Sequence, residues 1–316
     1  MKQLFRIWIL VVAMVMGGAL PPQLVGDNPV TAQWSAQAKN KNKKNKKKNK
    51  KNKKNKKKKS SAPSTSSASN TSNTSNTPST SSRLVSPPSQ SVNALLAVTI
   101  PKGVSNQVLN YQSIRVNFNP SLRIPNCVAY ELTATMVAMA DAPGHEVRKN
   151  YKYARDPQVK SCPENWEYRG SGYSRGHMAP AMDMRWDKTA MTQCFYMTNM
   201  CPQDTKLNND HWRILEEKVH RWAKRDRRIL VFTGPIMGKT PRMIGKDRPD
   251  IAVPDAFFKV LYAPEQGRSI AFIYPNEPSP GGIGKHAVTV AEVERRTGLT
   301  FTSAMPKHQC KLADWE

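Results

Sequence analysis

Between Lys39 and Lys59 the chain has no acidic, aromatic or apolar residue: the 21 positions are 15 lysines and six asparagines. With nothing to bury, such a run cannot offset the entropy of ordering its backbone, and it reads as a solvated tail. Lacking rings, it can neutralise phosphates but cannot stack on bases. The stretch that follows, "SSAPSTSSASNTSNTSNTPSTSS", is as poor in apolar side chains, so residues 33–92 are expected to form a disordered Lys/Asn-rich and Ser/Thr-rich linker. Also missing is an apolar run long enough for a membrane span, which takes about 20 residues. The N-terminal "MKQLFRIWILVVAMVMGGAL" has Lys2 and Arg6 before a shorter run that Pro21 and Pro22 soon interrupt. That layout predicts a signal peptide over residues 1–32, cut after "VTA", and a secreted, periplasmic or cell-surface protein with no membrane span after cleavage. No cysteine near residue 20 offers a lipid attachment point.

Cysteine is scarce and odd in number. Cys127, Cys162, Cys194, Cys201 and Cys310 permit at most two internal disulfides and leave one thiol over. The spacing of Cys194 and Cys201 fits no zinc motif, and no second Cys or His pair accompanies them.

What the chain does have is positive charge, +26 in all and still +9 over residues 93–316. A folded part that is basic without its tail favours a polyanionic partner. That folded part is expected to be one domain, 93–316. "IRVNF" (114–118) and "AYELTATMV" (129–137) alternate like half-buried strands, and "CFYMTNM" (194–200) and "RILVFTGPI" (228–236) add two more. "FFKVLYA" and "IAFIYPN" flank the turn-like "PEQG". Residues 207–228 have helical apolar spacing with Asn208 or Asn209 as cap, and "TVAEVERRTG" (289–298) is a shorter helix between Thr289 and Gly298. The expected class is α+β, a largely antiparallel sheet flanked by helices.

The chemistry gathers around "GSGYSRGHMAP" (170–180). On an extended segment Arg175 and His177 leave the same face, placing a fixed cation beside a potential general base. Asn208 offers a hard neutral oxygen suited to Mg²⁺ with water in the remaining positions. Glu216, two helical turns on, can reach the same water shell.

The stretch "YRGSGYSRGHMAPAMDMRW…FYMTNMCPQDTKLNNDHWRILEE" resembles the DNA/RNA non-specific endonuclease family, whose ββα-metal (His-Me finger) site reads "DRGH", then "N-x-x-PQ", then "N-x-x-x-W-x-x-L-E". The resemblance implies a nuclease that cuts DNA and RNA and leaves 5′-phosphates; the N-terminal segment makes it an exported one, and since none of these residues reads a base edge, little sequence preference is expected. It implies His177 as general base, Asn208 as ligand of one Mg²⁺ (Mn²⁺ a substitute), Arg175 as the motif arginine and Glu216 as the helix acid. Asn199 is implied to line the substrate site, and Arg148, with Arg155 as the alternative, to stabilise the charged phosphorane. His220 and Arg221 compete for the phosphate, Arg221 being the expected substrate contact. Ser174 stands where the family motif commonly has aspartate, which weakens the expected metal affinity. The alternative reading is a catalytically weak or inactive nuclease-fold protein that binds nucleic acid or another polyanion. The lysine tail is expected to bind nucleic acid or an acidic envelope polymer.

Overall fold

The computed structural model describes residues 90–316. The expected signal segment and all but the last residues of the expected linker lie outside the described residues. A short helix, α1 (Gln90–Leu95), starts three residues ahead of the expected boundary at Asn93. Strands β1 (Gln107–Asn110), β2 (Arg115–Asn119) and β3 (Ile124–Thr133) lead into α2 (Ala134–Asp141). Next come β4 (Tyr173–His177), α3 (Ala181–Met184), α4 (Lys188–Cys194), β5 (Met200–Asp204) and α5 (Trp212–Asp226). The chain continues through β6 (Arg228–Ile236), β7 (Met243–Ile244), β8 (Ile251–Ala252), β9 (Ala256–Ala263), β10 (Arg268–Pro275), β11 (Ala287–Val288) and α6 (Val290–Thr297).

Seven strands form one antiparallel sheet in the order β1-β2-β3-β6-β9-β10-β11. Both faces are buried, and for that reason the central strands read as nearly continuous apolar runs. Alternate residues sort between two cores. Val128, Tyr130, Val231, Phe257 and Leu261 face Trp212, Leu215 and Val219 of α5, while Ala129, Phe232, Phe258 and Val260 face Val92 of α1 and Val290 and Val293 of α6. The β4–β5 ribbon is separate from this sheet. Together with α5 it forms the expected ββα unit, and the class is α+β.

Local chemistry moves several boundaries. The strand expected over 129–137 ends at Thr133, whose hydroxyl accepts from the Met136 amide at 3.2 Å and caps α2. Residues 194–200 are not a strand: α4 runs to Cys194, a helical turn spans Met197–Asn199, and β5 begins at Met200. The cap of the long helix is Asp204, not Asn208 or Asn209, its Oδ1 accepting from the amides of Lys206 and Leu207 at 2.9 and 2.8 Å. Asn208 therefore lies inside the helical segment, in a π-helical turn over Leu207–His211. At the other end Arg227, at φ +70°, stops α5 and frees Arg228 for β6. Around α6 the expected Thr289 cap and left-handed Gly298 (φ +71°) are both present. No disulfide forms: all five cysteines are free, Cys310 exposed and the other four buried. Among the described residues no helix is long and apolar enough to cross a membrane.

Candidate active site

The ribbon pairs Ser174 with Gln203, Gly176 with Cys201 and His177 with Met200. The glycine of the Arg-Gly-His step is required by contact. A Cβ at Gly176 would lie 2.3 Å from Gln203 Oε1 and 2.6 Å from Gln203 Cβ, so the buried Gln203 side chain can cross the ribbon only over a bare backbone.

His177 is buried, edge-on to the Phe195 ring with centroids 5.0 Å apart, and 5.6 Å from the ring of Tyr153. Its Nε2 has no hydrogen-bond partner among the described residues. Burial, and then the nearby Arg148 charge, push its pKa down to about 3, so at neutral pH the ring is an uncharged proton acceptor. Arg148 donates to the Tyr153 hydroxyl at 2.9 Å and lies 5.3 Å from the Phe195 ring centroid. Arg175 donates to the Asn165 carbonyl at 2.5 Å and sits 5.7 Å from the Tyr153 ring and 5.4 Å from that of Tyr168. Tyr153 thus gathers both cations and the histidine. Arg155 is directed elsewhere, donating to the Lys160 carbonyl at 2.6 Å and approaching Glu164 at 3.8 Å.

Asn208 is half-buried; its Nδ2 reaches Asn209 Oδ1 at 3.4 Å, and its own Oδ1 accepts no hydrogen bond among the described residues. Glu216 lies two turns along on the same side of the helix. Burial pushes its carboxyl up to about 8, against the pull of Lys259 and with the repulsion of Asp183. Lys259 is fully buried on β9 with its ammonium 4.8 Å from the Trp212 ring, and burial lowers its pKa. The donor set suits a hydrated hard cation: one free amide oxygen, with a carboxyl two turns along the same helical segment. Among the described residues no group of three or more His, Cys, Asp or Glu could hold a metal instead.

Three expected residues are placed differently. Asn199 is fully buried, and its amide is spent on Ala179 and Cys194: Oδ1 accepts from Ala179 N at 2.9 Å, and Nδ2 donates to the Ala179 and Cys194 carbonyls at 3.0 and 2.8 Å. It braces the segment after His177, and its full burial keeps it from substrate. Arg221 is exposed and about 140° around the helix from Glu216, so it does not join the group. Its neighbour His220 is turned inward, bonded to Asp183 and Asp141. Ser174 Oγ is 3.0 Å from Thr205 Oγ1, tying the ribbon to the start of the helix. The sequence reading missed Tyr153, Phe195, Gln203, Asp183 and Lys259. The tyrosines set among the cations of "RKNYKYARD" and the lone charge in "FFKVLYA" were the available signals.

Residues 91–308 match the family described as DNA/RNA non-specific endonuclease. "Nuclease 1, mitochondrial" of Schizosaccharomyces pombe is 32% identical over 232 residues, 66% of this chain and 69% of its own length. "Nuclease EXOG, mitochondrial" of Danio rerio is 33% identical over 239 residues, 67% of this chain and 66% of its own. Among solved structures, "Crystal structure of the EndoG/EndoGI complex: Mechanism of EndoG inhibition" has a chain that aligns with a TM-score of 0.58 and 27% identity, covering 64% of this chain and 87% of that one. The mitochondrial names of these relatives contradict the secreted, periplasmic or cell-surface placement expected from the N-terminus.

Proposed function

Because the chain belongs to the DNA/RNA non-specific endonuclease family, a class of metal-dependent hydrolases, we propose that it cleaves phosphodiester bonds of DNA and RNA with little sequence preference. The observation that carries this reading is the neutral, unbonded His177 ring held beside Arg148 and Arg175 by Tyr153. His177 takes the proton of a water as its oxygen attacks phosphorus, and the bond from phosphorus to the 3′-oxygen breaks, leaving a 5′-phosphate. Arg148, with its guanidinium on the exposed side of Tyr153, faces the charge that builds on the phosphate. An anionic phosphate beside His177 also offsets the Arg148 charge, raising the basicity of the ring when substrate is bound. Asn208 would hold one Mg²⁺, or Mn²⁺ in its place, with Glu216 on its waters. When bound, that ion supplies Lewis-acid stabilisation of the phosphate and of the leaving oxygen. None of these residues reads a base edge.

The nuclease domain then begins with α1 and runs over residues 90–316, three residues longer than the expected 93–316, and the linker is 33–89 instead of 33–92. The linker's lysines add salt-sensitive affinity for nucleic acid without taking part in cleavage. A second reading, a weak or inactive nuclease fold that binds nucleic acid or another polyanion, draws on Ser174 standing in place of the motif aspartate. Incubating the purified chain with plasmid DNA and with RNA, each with Mg²⁺ or with chelator, separates the two. Cleavage of both substrates only with metal supports the nuclease; binding without cleavage supports the second reading.

A further inference from the structure

His220 has carboxylates on both ring nitrogens. Nδ1 is 2.9 Å from Asp183 Oδ1 and Nε2 is 3.2 Å from Asp141 Oδ1. Ionised carboxylates only accept, so both nitrogens must donate and the ring is an imidazolium. Asp183 is fully buried and takes a second donor, the Tyr130 hydroxyl at 2.8 Å on Oδ2, as an ionised carboxylate would. Burial alone lowers the pKa of this ring. The hydrogen bonds and charges of Asp183 and Asp141 more than reverse that and hold it above the usual histidine value of about 6.5.

The three elements joined here are those that carry the site. Asp183 lies on α3, six residues after His177 and just past the segment that Asn199 braces. His220 lies on α5, one turn after Glu216 and three after Asn208, and Tyr130 lies on the central strand β3. We propose that His220 is a positioning residue for phosphodiester cleavage: its imidazolium clamps Asp183, and with it the segment carrying His177, against the helix that carries Asn208 and Glu216. The inference rests on the nuclease reading above. The other charged groups at the clamp are Lys224, 3.4 Å from Asp141, and Glu216 and Lys259, whose charges act on Asp183. Asp141 is half-exposed, so its bond is the weaker one; the bond to buried Asp183 sets the geometry.

A neutral ring can donate through one nitrogen only. Deprotonation leaves half-exposed Asp141 without its partner and strips the charge from the bond to buried Asp183; the clamp loosens, and turnover falls as pH rises through the folded-state pKa of His220. His220→Gln, which keeps a donor but not the charge, should lower kcat about 10- to 100-fold, with KM for DNA little changed. His220→Arg, a permanent cation, should recover most of that loss and remove the fall at high pH.

The test uses the full chain. Turnover of plasmid DNA is measured from about pH 6 to 10 for the wild type and both variants, and the histidine ring nitrogens of ¹³C,¹⁵N-labelled wild-type protein are recorded at pH 7, the His220 ring being assigned by through-bond correlation to its own backbone. Two protonated nitrogens, a reduced kcat in His220→Gln and a flat alkaline profile in His220→Arg support the clamp. A neutral His220 ring at pH 7 overturns it even if the variants fail to fold, as does a folded His220→Gln with wild-type kcat and pH profile. A wild-type chain whose His220 is an imidazolium but which cuts neither DNA nor RNA in Mg²⁺ overturns the nuclease reading, and with it the role in cleavage, while leaving the charge assignment standing.

Discussion

Replacing Gly176 by alanine puts a methyl carbon where Gln203 already lies. The new Cβ falls 2.3 Å from Gln203 Oε1, 2.6 Å from its Cβ and 2.8 Å from its Cδ. Comfortable carbon contacts are about 3.5–4.0 Å, so the strands must part by roughly 1 Å. Rotating the amide away relieves the contact with Oε1 but not the contact with Cβ, which moves only with the backbone. Gln203 is fully buried and has no solvent to swing into. Overpacking of this kind costs about 1–3 kcal/mol. Because the displaced backbone adjoins His177, a shift near 1 Å should also lower turnover by about 10²-fold. Denaturant unfolding reads the first number and single-turnover cleavage of plasmid DNA in saturating Mg²⁺ reads the second. Adding Gln203→Gly removes all three clashing atoms and should return part of the lost turnover, even though the second glycine is itself destabilising. Gly176→Ala with wild-type stability and rate, or a double variant no faster than the single, refutes the reasoning.

Asn208→Ala should abolish most cleavage and raise the Mg²⁺ concentration needed for what remains; an unchanged Mg²⁺ titration means that the ligand has been misassigned. The depressed pKa of His177 makes two claims about acid. The folded ring stays neutral while the unfolded one protonates below about 6.5, so this residue's contribution to stability is full above that pH and is lost as pH falls towards 3, by up to about 1.4 kcal/mol per unit. For the same reason kcat/KM should show no acid limb near pH 6.5, and a limb there contradicts the burial argument. Deleting residues 33–89, which spares α1 and the core residue Val92, should leave turnover at saturating DNA nearly unchanged but flatten the salt dependence of apparent affinity, since even six engaged lysines add roughly −5 to its slope. Parallel salt curves for the deleted and full-length chains remove nucleic acid from the tail's partners.

What the sequence made legible were the features written in neighbouring residues. Apolar runs such as "RILVFTGPI" fixed the buried strands because both faces of the sheet are covered. Thr289 and Gly298 marked the ends of α6 because capping is a local transaction. His177, Arg175 and Asn208 stood out by residue type and spacing, and the roles they take are those proposed above. The errors arose where a distant partner decides. Asp204, not the asparagines, caps the long helix. Asn199 looks like a ligand-binding amide until Ala179 and Cys194 are seen to consume it. Arg221 is separated from its neighbour His220 by one residue's rotation of the helix, a phase that the π turn at Leu207–His211 disturbs. Tyr153 brings together residues 27 positions apart, and no local pattern announces that.

His177 bears most of the account, so its removal is the most direct measurement. Single-turnover cleavage of plasmid DNA by His177→Ala in Mg²⁺ is compared with the wild type, with circular dichroism and thermal unfolding to establish that the variant is folded. General-base help is worth about 10²- to 10⁴-fold, and the predicted rate is lower by at least the bottom of that range. A folded His177→Ala protein that cuts at the wild-type rate contradicts the mechanism.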